Sequence, residues 1–95
     1  MNDRYYVYML ICSDDTFYTG ITNDLEKRLK THNEGKASKY TRVRLPVQFV
    51  YVEEIEGKGP ALSREWSIKS LKKNEKIKLI NCSDNLVNKN CSGQL

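Results

Sequence analysis

Tyr8 and Tyr18 stand about ten residues apart, on either side of the turn signal Ser13-Asp14-Asp15. Arg28 and His32 follow, then Glu65. An arginine suits phosphate because its planar fork donates two parallel hydrogen bonds and keeps its charge at any physiological pH. A phenol can take part in proton transfer, but its ordinary pKa of ~10 has to be lowered before it is a useful base near neutrality. A lone carboxylate can hold Mg²⁺ or Mn²⁺ if water and substrate oxygens complete the shell. Together these types point to chemistry on a phosphate ester.

The elements that must position them are legible from patterning. Tyr5 to Cys12 is apolar on both alternating faces and predicts a strand covered on both sides. Thr16 to Ile21 predicts its hairpin partner. The register matters. An even loop sends Tyr8 and Tyr18 to opposite faces. An odd loop such as Ser13-Asp14-Asp15 sets Tyr8 opposite Gly20 and Leu10 opposite Tyr18, so that both tyrosines share a face. Gly20 then leaves room for a backbone or ligand to come close. Thr22, Asn23 or Asp24 can cap a helix in which residues 25, 28, 29 and 32 share one side, ended by Gly35. Lys36 to Leu45 reads as a basic loop or a short helix. Val47 to Ile55 predicts a third strand. Gly57-Lys58-Gly59 is a connector, and Pro60 opens a helix to about Lys73. Asn74-Glu75 caps a shorter one containing Ile77, Leu79 and Ile80. The fold class is α/β (α+β): a small three-stranded antiparallel sheet flanked by helices, in the order β-β-α-β-α-α.

The chain has 95 residues, enough for one domain with a modest core. Residues 1–82 form that domain, and residues 83–95, mostly Asn, Ser, Asp, Lys and Gly, are expected to form a flexible polar C-terminal tail. No apolar run approaches the ~20 residues of a membrane helix, so no membrane partner is expected and the cytoplasm is the default location. Three cysteines without a CxxC pair, and a single histidine, argue against a structural zinc site. The net charge of +4 favours an anionic partner. Much of the positive charge lies between Lys27 and Arg44, and a second group runs from Lys69 to Lys78. Lys39-Tyr40-Thr41-Arg42 interleaves basic and aromatic groups in the manner of a nucleic-acid contact, with Tyr40 able to stack on a base.

Taken singly, each residue has a plainer reading. Arg28 can lay its stem along the helix surface. The tyrosines can be ordinary strand residues packing a core. Glu65 shares an inward stripe with Ala61 and Ile68 but can equally pair with Lys69 at i+4. His32 can bind phosphate, assist proton transfer or brace its neighbours. Trp66 is expected in the core, and Lys69 to Lys78 on a solvated face.

The order of the fragments decides between these readings. Tyr6-Val7-Tyr8 followed by Tyr18-Thr19-Gly20 resembles the paired motifs of the GIY-YIG nuclease superfamily. Gly20 to Arg28 is similar to that family's run from glycine to its arginine, and Arg28-Leu29-Lys30-Thr31-His32-Asn33 to the R-x-x-x-H-N run of its small stand-alone bacterial members. Ala61-Leu62-Ser63-Arg64-Glu65 resembles the helix bearing the metal-binding glutamate. The resemblance spans Tyr5 to about Ile80. Ile21 stands where the excision-repair branch often has lysine, Tyr6 occupies a glycine position of the first motif, and Asn74 is the candidate for the family's late asparagine.

The resemblance implies a metal-dependent endonuclease that hydrolyses phosphodiester bonds, of a kind used structure-specifically in DNA repair or recombination. Tyr8, Tyr18, Arg28, His32 and Glu65 are then the catalytic set, with Mg²⁺ or Mn²⁺ on Glu65. Tyr18 acts as general base, Tyr8 orients water or phosphate, and products carry 5′-phosphate and 3′-hydroxyl ends. Gly20, Lys39, Tyr40 and Arg42 are the expected nucleic-acid contacts, with DNA as the expected partner and a protein partner as a source of specificity. Two alternatives accompany it: a non-catalytic nucleic-acid-binding module, and a subunit active only with a partner.

Overall fold

The computed structural model describes residues 3–82 and 84–87. Three strands, β1 (Arg4–Ile11), β2 (Phe17–Thr22) and β3 (Gln48–Glu56), form an antiparallel sheet in the order β2-β1-β3. The helices are α1 (Leu25–Asn33), α2 (Lys39–Arg42), α3 (Lys58–Lys69) and α4 (Lys73–Ile80). The architecture is the expected three-stranded sheet flanked by helices, with α2 added between α1 and β3. That segment folds as a helix because Ser38 caps it, its hydroxyl accepting from the Tyr40 amide at 3.1 Å.

The central strand explains the layering. Val7 and Met9 face one way, into a core with Tyr51, Ala61 and Ile68 under α3. Tyr8 and Leu10 face the other, with Cys12, Val47 and Val52 and the inner sides of α1 and α2. β1 is therefore buried on both sides, as its unbroken apolar run predicts. Its hairpin with β2 has the odd register: Tyr8 pairs with Gly20 and Leu10 with Tyr18. The turn holds this register by local chemistry. Cys12 N–H donates to Thr16 O at 2.9 Å, Asp14 Oδ1 accepts from the Thr16 hydroxyl at 2.6 Å, and Asp15 takes the left-handed conformation at φ 65°.

Asp24 is the cap that α1 uses, its carboxylate accepting from the Lys27 amide at 3.1 Å. At the other end Asn33 clamps the helix to the start of β3, donating to Val47 O at 3.1 Å and accepting from Val47 N–H at 2.9 Å.

Three local expectations are corrected. Pro60 lies in the first turn of α3 as expected, but the helix begins at Lys58, inside the expected connector, and ends at Lys69 rather than Lys73. It stops early because Glu75 accepts the Lys72 amide at 2.9 Å and starts α4 afresh. Trp66 is 71% exposed. The stripe of α3 that meets the sheet is Ala61, Glu65 and Ile68, which turns Trp66 and Leu62 outward. Within the segment expected as a tail, Asn85 is fully buried and Leu86 and Val87 pack on the Tyr8 face of the core. Residues 83 and 88–95 of that segment lie outside the described residues.

Asn85 completes the exposed edge of the sheet. β3 pairs only with β1, and the ladder is irregular between Met9 and Leu10, which leaves Val50 out of register. The Asn85 side chain stands in for a missing strand there. It donates to Val50 O and Ile80 O, both at 2.8 Å, and accepts from Val52 N–H at 3.0 Å and Val87 N–H at 3.1 Å. Among the described residues no helix is long and apolar enough to cross a membrane.

Candidate functional site

The odd register places the Tyr8 and Tyr18 rings on one face of the hairpin, and α1 lays His32 against both. Tyr8 is 2% exposed and its hydroxyl lies 2.9 Å from His32 Nε2. The Tyr18 ring meets His32 edge-on at 5.3 Å. His32, 1% exposed, uses its other nitrogen: Nδ1 lies 3.0 Å from Thr41 Oγ1, and the Thr41 hydroxyl donates to Ser38 O at 3.4 Å. These contacts fix the direction of the chain. Thr41 spends its only proton on Ser38, so it accepts from His32 Nδ1–H. That leaves Nε2 as an acceptor, and Tyr8 donates to it. Neither Thr41 nor this role of α2 is visible in the sequence, because the bond joins residues on separate helices with no shared periodicity.

Gly20 makes this arrangement possible. A Cβ there would stand 2.6 Å from the Tyr8 hydroxyl oxygen and 2.8 Å from Cζ. The space expected for a ligand is thus taken by Tyr8 itself. Gly20→Ala is expected to destabilise the fold by about 1–3 kcal/mol, the usual cost of overpacking, and to break the bond from Tyr8 to His32. Urea denaturation reads the first effect and the imidazole NMR shifts of His32 the second. A variant with an unchanged midpoint and unchanged His32 shifts contradicts this account of the glycine.

The electrostatics follow from burial. Desolvation pushes the Tyr8 pKa well above that of a free phenol. The neighbouring Tyr18 raises it further, Arg28 pulls it down, and Glu65 raises it. Desolvation also lowers the His32 pKa, and Arg28 adds to that. Tyr8 is therefore in range of the charges of Tyr18, Arg28 and Glu65, which come from three separate elements. Arg28 is half-buried at a cleft of about 220 Å³ lined also by Thr22, Asn23, Asp24, Lys27 and Thr31. Among the described residues its side chain has no ion-pair or hydrogen-bond partner.

Glu65 is partly buried and pairs with Lys69 Nζ at 3.3 Å. Both sequence readings of this residue hold at once, since it belongs to the inward stripe and it pairs at i+4. Among the described residues no group of three or more His, Cys, Asp or Glu side chains is arranged around a metal. Glu65 is the one residue of this set that could hold a hard cation, with water and phosphate oxygens completing the shell.

Lys39 and Arg42 are exposed on α2. Tyr40 is not a free stacking platform. Its ring stacks with Tyr18 at 6.2 Å, and the Arg44 guanidinium lies 3.9 Å from its centroid. Arg44 is held in turn by Asp14, Nε to Oδ2 at 3.0 Å, and donates to Tyr40 O at 2.8 Å. Arg44 sits inside the basic stretch of the sequence, but nothing in its spacing separates it from Lys39 or Arg42. Asn74 is exposed in the first turn of α4.

Residues 4–78 match the GIY-YIG catalytic domain. The chain is 56% identical over 75 residues to a UPF0213 protein of Clostridium perfringens, covering 79% of this chain and 81% of that one. It is 49% identical over 79 residues to a UPF0213 protein of Haloquadratum walsbyi, covering 83% and 89%. Two solution NMR structures are similar. One is of a UPF0213 protein from Bacillus halodurans, with TM-score 0.55, 37% identity and coverage of 85% and 86%. The other is of a protein from E. faecalis, with TM-score 0.58, 34% identity and coverage of 85% and 88%. A family match over residues 4–78, with relatives this similar over most of both chains, makes this chain a member of the GIY-YIG nuclease superfamily and a relative of its small UPF0213 proteins.

Proposed function

We propose that this chain is a nucleic-acid-binding domain that seats a backbone phosphate at Arg28, and that it becomes hydrolytic only when a divalent cation and a partner complete the site. The observation that carries this reading is Arg28: half-buried, without a partner side chain, and close enough to Tyr8 and His32 to shift both. A cation left unpaired at a cleft next to polar groups is a seat for an anion, and phosphate is the anion its fork fits best. The resting proton arrangement supports the second half. Burial makes Tyr8 hold its proton more tightly than a free phenol and makes His32 a weaker base than a free imidazole, so the pair is poorly poised for proton transfer until further charge enters the site.

A second reading, hydrolysis by the chain alone, is favoured by the meeting of Tyr8, Tyr18, Arg28, His32 and Glu65. On that reading a water oxygen attacks phosphorus, and the bond to the leaving oxygen breaks in line. The water proton passes to the Tyr8 oxygen as Tyr8 gives its own to His32 Nε2. This moves the base role from Tyr18, where the family resemblance puts it, to the residue that has a direct proton acceptor. Tyr18 then borders the phosphate, and a phosphate on Arg28 offsets the charge that depresses His32. A divalent cation at Glu65, when bound, supplies positive charge toward the leaving oxygen. Glu65 must release Lys69 to hold it.

Binding and turnover measured together on single-stranded, nicked and branched oligonucleotides test both readings. Salt-sensitive binding without cleavage in Mg²⁺ or Mn²⁺ is expected. Cleavage by the isolated chain that is lost in Glu65→Ala instead favours the second reading. Cleavage that survives both Arg28→Ala and Glu65→Ala contradicts both.

A further inference from the structure

A second cavity, of about 350 Å³, adjoins the site on the side of α3 and α4. Phe17, Tyr18, Thr19 and Tyr40 form its aromatic and polar wall, and Lys69 and Lys76 complete it. From this geometry we infer that the cavity is a subsite for a second phosphate of the same nucleic-acid strand, held by Lys69 and Lys76 beside the phosphate at Arg28. The inference rests on the reading of Arg28 as a backbone-phosphate seat.

Four observations support it. Tyr18 lines this cavity, and its ring lies 5.3 Å from His32, which feels the charge of Arg28. A strand seated at Arg28 and running past Tyr18 therefore meets the two lysines next. The lysines come from different helices, Lys69 from the last turn of α3 and Lys76 from the middle of α4. The break between those helices, set by Glu75 on the Lys72 amide, turns Lys76 toward β2. Lys76 is half-buried, and its side chain has no ion-pair partner among the described residues. Finally, the aromatic wall is braced, since Tyr40 is held between the stack with Tyr18 and the Arg44 guanidinium, itself anchored on Asp14. A braced wall keeps its shape without the ligand, so less ordering is lost on binding.

Lys69 links the subsite to Glu65. Its ammonium rests on Glu65 at 3.3 Å while it lines the cavity. A strand phosphate in the cavity draws it away from Glu65 and exposes that carboxylate. Occupation of the subsite and access to Glu65 are thereby coupled. Inorganic phosphate lacks the chain that ties the two seats together, so the subsite selects a strand of at least two phosphates.

The test uses the full chain and a labelled single-stranded oligonucleotide, with binding read by anisotropy over a salt series. Lys76→Ala is compared with Lys78→Ala, which removes the same charge from the same helix outside the cavity. Lys76→Ala is expected to weaken binding roughly tenfold, and to lower the slope of log K against log salt by about 0.7, the value of one lost single-strand phosphate contact. Lys76→Arg retains both, and Lys78→Ala changes neither beyond the small effect of one screened charge. If Lys76→Ala and Lys78→Ala behave alike while Arg28→Ala still weakens binding, the subsite is overturned and the Arg28 seat stands. If the wild-type chain does not bind, or Arg28→Ala binds as well as wild type, the parent reading fails and the subsite with it. Circular dichroism of each variant separates loss of contact from loss of fold.

Discussion

Arg28→Ala is expected to weaken oligonucleotide binding by about 30- to 100-fold while leaving the folded chain as stable as before. The two halves of that result come from one structural fact. The guanidinium has no partner side chain among the described residues, so its removal orphans no hydrogen-bonding group in the protein. Stability should therefore change by no more than about 0.5–1 kcal/mol, as at a surface site. A bound phosphate, in contrast, loses two parallel charge-assisted bonds. Arg28→Lys keeps the charge without the fork and is expected to recover only part of the affinity. A third readout separates this role from a purely structural one. Arg28 helps to depress the His32 pKa, so Arg28→Ala should raise that pKa toward the ordinary histidine value, though burial still holds it down. An NMR titration of the single histidine reads the shift. Affinity unchanged in Arg28→Ala, or His32 titrating as in wild type, contradicts the placement of Arg28.

Asn85→Ala is expected to cost about 3 kcal/mol of stability, the largest single loss in the fold outside the apolar core. All four hydrogen-bonding positions of the side-chain amide are used. Truncation leaves Val50 O, Val52 N–H and Val87 N–H to find water at a partly covered sheet edge, at roughly 1–3 kcal/mol for each group that fails to do so. It also releases Leu86 and Val87 from the Tyr8 face of the core and uncovers an edge strand, which favours association between chains. For a domain of this size each kcal/mol lowers Tm by ~4–8 °C, so a calorimetric scan shows the effect clearly. A Tm within a few degrees of wild type contradicts the role of Asn85 as the substitute strand.

These two residues also mark the boundary of what could be read without coordinates. Periodicity identified the strands, the shared face of residues 25, 28, 29 and 32, and the odd hairpin register that puts Tyr8 opposite Gly20. All of these are local, set within a turn or two of chain. Asn85 was invisible because its bonds to β3 span more than thirty positions and leave no local pattern. Thr41 and Arg44 were hidden for the same reason, since α2 acquires its role only by packing against His32 and Tyr18. Trp66 shows the opposite failure. Side-chain hydrophobicity pointed inward, but the helical phase set by Ala61, Glu65 and Ile68 pointed it outward, and phase prevailed. Gly20 was singled out correctly as a position of close approach, while the group that approaches proved to be the protein's own phenol.

The most direct test of the central proposal is the salt dependence of binding by the unmodified chain. A labelled single strand is titrated with wild-type protein between about 50 and 200 mM salt, where each phosphate contact contributes a slope of roughly −0.7 in log K against log salt. A linear fall with a slope near −1.4 is predicted, corresponding to phosphates at Arg28 and at the lysine pocket. Binding that ignores salt, or no binding at the low end of the range, contradicts it.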